Sequence, residues 1–127
     1  MRCYVDSDVL IWYLRRSPEA LALLKSLRER REYELWTGAM QRAEVLFFAR
    51  PETKDATLTF LSSFSTAPVD QRTIDRAAAL YWQWHPSHGI DTNDAILAAT
   101  VMETGGKIVC LNTKHYPMPD LVVEKAW

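Results

Sequence analysis

Three carboxylates in this sequence stand on or against apolar stretches. Asp94 begins the run Asp94-Ala95-Ile96-Leu97-Ala98-Ala99-Thr100. At helical spacing its face is otherwise Leu97, Ala98, Val101 and Met102. Glu44 shares a stripe with Met40, Ala43, Phe47 and Phe48, and Asp6 directly follows Cys3-Tyr4-Val5. A charge on an apolar stripe costs on the order of several kcal/mol unless it is solvated, paired or bound to a metal. Gathered in one place, three carboxylates repel and need a counter-cation or raised pKa values. Oxygen ligands without paired Cys or His suit Mg²⁺ or Mn²⁺ rather than zinc. Such an ion polarises a phosphoryl oxygen and favours metal-assisted phosphodiester hydrolysis. Taken singly, each acid also has a structural reading. Asp94 favours the positive end of a helix dipole, and spacing alone leaves capping and other carboxylate chemistry open.

The acids can meet only if the elements bring them together. Arg2 to Val5 reads as a first strand, and Asp6-Ser7-Asp8 offers caps for a short helix from Val9 to Leu14. Ser17-Pro18-Glu19 starts a second helix, with Pro at its first position. Tyr33 to Trp36 is a second strand, broken at Thr37-Gly38, and helix three covers about Ala39 to Ala49. Thr37 reads as a cap for that helix or as a neighbour of the site. A fourth helix spans about Lys54 to Ser63, and Ala67 to Val69 forms a short third strand. Asp70 caps a long helix that gives way to a loop at His85-Pro86-Ser87-His88-Gly89. The Asp94 helix, capped by Thr92 or Asp91, ends at Gly105-Gly106. Lys107 to Leu111 is the fourth strand and Val122 to Glu124 an edge strand.

Strands alternating with helices imply an α/β fold, with a mainly parallel sheet of roughly five strands covered on both faces. In such sheets ligands bind outside the carboxyl ends of the strands. Asp6 ends strand one, Asn112 ends strand four, Glu44 follows strand two and Asp94 opens the helix feeding strand four. Asp91 lies three residues before Asp94. That is the geometry of a local capping pair, and a water-mediated metal contact is its alternative.

At 127 residues the chain is read as a single domain, 1–127, large enough for a core without staples. A hydrophobic share of 48% with a net charge of -1 is that of an ordinary soluble protein and leaves no strong basic footprint. No apolar run suits a membrane span. The early acid at Asp6 argues against a signal peptide, so the expected compartment is the cytoplasm. Cys3 and Cys110 fall towards opposite ends of their strands and are expected as free buried thiols.

Four stretches occur in a telling order: Val5-Asp6-Ser7-Asp8-Val9-Leu10, Ala43-Glu44-Val45-Leu46, Asn93-Asp94-Ala95-Ile96-Leu97-Ala98-Ala99-Thr100 and Val109-Cys110-Leu111-Asn112-Thr113-Lys114-His115-Tyr116. Over nearly its whole length the chain resembles the PIN-domain ribonucleases, specifically the VapC-type toxins of prokaryotic toxin–antitoxin pairs. The resemblance implies a PIN-like three-layer α/β/α sandwich, Mg²⁺ or Mn²⁺ dependence and endoribonuclease activity on RNA. It also implies a small protein antitoxin and frequent homodimers. Asp6, Glu44 and Asp94 match the family's three metal-holding acids, and Asn112 falls on its fourth polar position. A neutral Asn112 adds no charge there. Asp8 stands where Asn is common, Gln41 where a hydroxyl residue is frequent, and Cys110 where Thr is frequent.

Two rival readings begin from the same residues. Strand-Asp6-x-Asp8 resembles the opening of haloacid-dehalogenase-type phosphatases. Val9 stands where that family usually has Gly, however, and Glu44 has no task in it. The other rival is a catalytically inactive binding module on the same fold. His115 reads as a solvated loop residue or a phosphate contact.

Overall fold

The computed structural model describes all residues, Met1–Trp127. The strands are β1 (Arg2–Val5), β2 (Glu34–Thr37), β3 (Ser65–Thr66), β4 (Lys107–Cys110) and β5 (Val122–Lys125). The helices are α1 (Ser7–Leu14), α2 (Pro18–Glu29), α3 (Ala39–Phe47), α4 (Lys54–Leu61), α5 (Gln71–His88) and α6 (Thr92–Thr104). The strands form one sheet in the order β3-β2-β1-β4-β5, and every pairing is parallel. No helix is long and apolar enough to cross a membrane.

The period of two in β1 and β4 builds the layers. Tyr4, Ile108 and Cys110 face a core completed by Ala77 of α5 and by Ala95, Ala98 and Ala99 of α6. Cys3, Val5 and Val109 face the opposite core, filled from α1, α2, α3 and α4. The result is the expected α/β/α sandwich. Cys3 and Cys110 are buried, free and on opposite faces of the sheet, which keeps them from pairing.

Four local expectations need correction. The third strand is Ser65–Thr66, in register with Trp36 and Thr37, rather than Ala67 to Val69. Pro68 has no N–H to donate, so the ladder stops before it. The long helix does not break at His85 but continues through Pro86 to His88. Pro86 lies in the last turn, and the Gly89 N–H closes that turn on the His85 carbonyl at 2.8 Å. Gly89 adopts the left-handed conformation at φ 62. Helix three ends at Phe47, before Ala49, and buries Gln41 and Val45 instead of the expected stripe. Phe47 and Phe48 are 80% and 85% exposed. The chain entering α3 approaches α6 closely at Gly38, where an added Cβ would collide with Gln41 Oε1 and lie 3.0 Å from the Leu97 side chain. The first helix begins at Ser7, with Asp6 itself as its cap.

Candidate active site

Asp6 sits at the carboxyl end of the central strand. Its N–H extends the β1–β4 ladder to the Val109 carbonyl at 3.0 Å. Its extended backbone, φ -74 and ψ 160, turns the chain into α1, and its Oδ1 accepts the Ser7 N–H at 2.8 Å. The side chain is only 7% exposed.

Asp94 reaches the same end of the sheet from the third position of α6, where it is 6% exposed. It is held by a reciprocal capping box: Asp91 Oδ1 accepts the Asp94 N–H at 2.8 Å, and Asp94 Oδ2 accepts the Asp91 N–H at 3.1 Å. Asp91 therefore takes the capping role, and its side chain is turned to the helix entrance.

Tyr116 joins the two buried acids. Its hydroxyl donates to Asp6 Oδ2 at 2.7 Å and lies 3.4 Å from Asp94 Oδ1. A phenol carries one proton, so it serves one carboxylate fully and the other only weakly. Glu44 is fastened to both flanks. Ser7 Oγ donates to Glu44 Oε2 at 3.0 Å, and Asn93 Nδ2 donates to Oε1 at 2.8 Å. Ser7 adjoins Asp6 and Asn93 adjoins Asp94, so the acids from β1, α3 and α6 are indexed to one another through neutral donors. As placed, no three His, Cys, Asp or Glu side chains close on a single point.

Asn112 follows β4 at the same end. Its Nδ2 lies 3.0 Å from His115 Nε2, and His115 Nδ1 lies 3.3 Å from Asp94 Oδ2. Asp8 positions this turn, since its Oδ2 accepts the N–H groups of Leu111 at 3.0 Å and Asn112 at 3.3 Å. The cap expected of Asp8 belongs to Asp6. Thr37 neither caps α3 nor faces the acids; its hydroxyl donates to the Val5 carbonyl at 2.8 Å, tying β2 to the end of β1.

Burial and then the nearby charge of Asp8 push the Asp6 carboxyl up to about 7, against the pull of the Tyr116 and Ser7 donors. Burial likewise raises Asp94, opposed by the Asp91 N–H. Burial drives the Tyr116 phenol well above its usual value, and the flanking acids add to this. Tyr116 thus remains a donor across the physiological range. None of Asp6, Glu44 or Asp94 pairs with a Lys or Arg; the Lys and Arg ion pairs are Arg30–Glu32 and Lys107–Glu124, and the His115 ring lies 3.3 Å from Asp94. Three acids at one sheet end, two of them buried and none facing a fixed cation, suit a divalent ion with hard oxygen ligands.

Tyr116 carries no role in the sequence reading, and His115, expected as a solvated loop residue or a phosphate contact, instead meets Asp94 and Asn112. Neither lies on a periodic stripe, and only the exit of β4 brings them to the acids.

The PIN domain family model matches residues 3–120. Ribonuclease VapC19 of Mycobacterium tuberculosis is 29% identical over 119 residues, covering 92% of this chain and 94% of its own. A toxin–antitoxin complex from Klebsiella pneumoniae superposes with a TM-score of 0.81 at 21% identity, covering 98% of each chain. VapBC2 from Rickettsia felis, bound to a promoter DNA fragment, superposes at 0.80 with 17% identity, covering 100% of this chain and 99% of that one. The dehalogenase-like reading needs Asp8 as an acid–base group, whereas Asp8 Oδ2 is taken up by two backbone N–H groups.

Proposed function

The chain belongs to the PIN-domain family, and from that premise we propose that it is a VapC-type endoribonuclease, the toxin of a type II toxin–antitoxin pair, dependent on Mg²⁺ or Mn²⁺. The observation that carries the reading is the joining of Asp6 and Asp94 through one Tyr116 hydroxyl, with Glu44 held by the immediate neighbours of both. Asp6, Glu44 and Asp94 would hold the ion, with Asp91 supporting Asp94 from behind. When bound, the ion supplies Lewis-acid stabilisation of charge on the phosphoryl and leaving oxygens. The chain's own residues position the acids: Tyr116 orients Asp6, while Ser7 and Asn93 orient Glu44.

Glu44 also lines a groove of about 740 Å³ with Ile11, Leu14, Arg15, Phe48 and Arg50. Arg15 and Arg50 supply the positive charge that an RNA backbone seeks, although the chain as a whole is near neutral. The name of the mycobacterial relative supports RNA as substrate, and the toxin–antitoxin neighbours support a small protein antitoxin. A cytoplasmic homodimer completes the proposal.

The test is cleavage of RNA by the purified protein. Cleavage is expected with Mg²⁺ or Mn²⁺, is stopped by EDTA and returns when the ion is restored. Hydrolysis of a small phosphomonoester with RNA left intact would reverse the assignment. RNA binding without cleavage under either ion would instead identify an inactive binding module.

A further inference from the structure

Ile74, Ala78 and Trp82 repeat at four-residue spacing and form an apolar stripe along α5. Within a single copy Ile74 is 44% exposed and Trp82 73% exposed. Between this stripe and Ala95 and Ile96 of α6 lies a cleft of about 190 Å³, with no charged residue in its wall. An apolar cavity of about 150 Å³ admits benzene, so this cleft has room for an aromatic side chain. The Trp82 indole both walls the cleft and projects beside it. Knob and hole thus share one patch, which is what a contact across a two-fold axis requires.

The border of the stripe has the same character. Asp75 follows Ile74 on α5 and shares an adjoining hollow with Arg72. Neither of these charges takes part in an ion pair within the chain. A border that offers both signs unpaired can satisfy itself across a two-fold axis, acid against base. One large aromatic buries on the order of 150–250 Å², about a quarter of the roughly 800 Å² that each side of a standard interface covers. Ile74, Tyr81 and Ile96 extend the patch beyond it.

We propose that this face of α5 and α6 is the interface between two copies of the chain, the Trp82 indole of each seated in the cleft of the other. The inference rests on the homodimer in the functional reading above and gives it a location. Ala95 and Ile96 directly follow Asp94 in the first turns of α6, so the interface adjoins the acidic end of the sheet.

The experiment is sedimentation velocity of the untagged full chain over a concentration series. Wild type is expected as a dimer. Trp82→Asp is expected to weaken dimerisation by about a thousandfold, since a symmetric contact loses its aromatic anchor on both sides of the axis. Trp82→Phe is expected to remain dimeric. Phe47→Asp alters an equally open aromatic, 80% exposed and outside the cleft, and is expected to leave the dimer intact. The wild-type melting temperature should rise with protein concentration, and that of Trp82→Asp should not. Ile74→Lys repeats the test should Trp82→Asp fold poorly, as judged by circular dichroism. A wild-type dimer that survives both Trp82→Asp and Ile74→Lys overturns the proposal and leaves the homodimer standing. A dimer lost in Phe47→Asp but kept in Trp82→Asp also overturns it. A monomeric wild type overturns both, and RNA cleavage by that monomer would still support the nuclease reading.

Discussion

Asp6 and Tyr116 lie 110 positions apart in the chain and 2.7 Å apart in the fold, the hydroxyl of one donating to the carboxylate of the other. Tyr116 is 3% exposed, so this donor is not readily replaced by bulk water. Tyr116→Phe removes it and lifts the Asp6 carboxyl above its present value of about 7. The acid limb of the RNA-cleavage profile is expected to move to higher pH. Because the donor favours the ionised form, the stability loss is greatest above pH 7, on the order of 1.5–3 kcal/mol for a bond to a charged group. An unmoved acid limb would show that Asp6 ionisation does not control the rate.

Stability should fall with rising pH in the metal-free protein. Asp6 and Asp94 both titrate higher in the native state than in the unfolded chain, where carboxyls ionise near pH 4. Below that point both states are protonated and no penalty exists. Between about 4 and 7 the unfolded chain ionises first, so native stability drains away, and above the native values the loss is complete. Melting in EDTA is therefore expected at a lower temperature at pH 8 than at pH 5. Mn²⁺ should recover the difference at pH 8 and do little at pH 5. A melting temperature independent of pH would remove the buried acids as its cause.

Asp6→Asn, Glu44→Gln and Asp94→Asn are each expected to lower RNA cleavage by about a hundredfold or more, the usual scale for a lost electrostatic group. Asn112→Ala should cost less, since no charge is removed. Without metal, Asp94→Asn should melt higher than wild type at pH 8, by about 4 °C for each kcal/mol of desolvation relieved. Wild-type turnover in any of the three acid variants would strike that residue from the site.

Asp8→Ala leaves the Leu111 and Asn112 N–H groups without their shared acceptor. The expected cost is about 1–2 kcal/mol, with faster amide exchange at those two positions. Asp8→Asn retains a side-chain oxygen and should be milder. Unchanged exchange in Asp8→Ala would show that the turn holds itself.

Charge set against an apolar pattern made Asp6, Glu44 and Asp94 readable from sequence, since such a residue needs a reason to be there. Strand alternation was equally readable: Cys3 and Val5 point one way and Tyr4 the other, and β4 repeats this, which is enough for the layers. What could not be read depends on distant backbone. Tyr116 becomes a site residue only because β4 pairs with β1, and Asp8 looks like a cap until Leu111 arrives beside it. At Pro86 the helix forgoes one N–H bond yet runs on to His88 and closes through Gly89, an outcome no local proline rule foretells. The exposure of Phe47 and Phe48 follows from how α3 rolls so that Gln41 and Val45 are buried, which no local window contains.

The pairing of β1 with β4 also sets a timetable. Ribosomes deliver chains from the N-terminus, at roughly 5–20 residues per second. Asp6 emerges early, but its neighbour strand and the phenol that orients it come only after residue 107. Until then β1 lacks its β4 partner and the carboxylates have no common address. The acidic site proposed for RNA cleavage is thus assembled only once nearly the whole chain has left the ribosome.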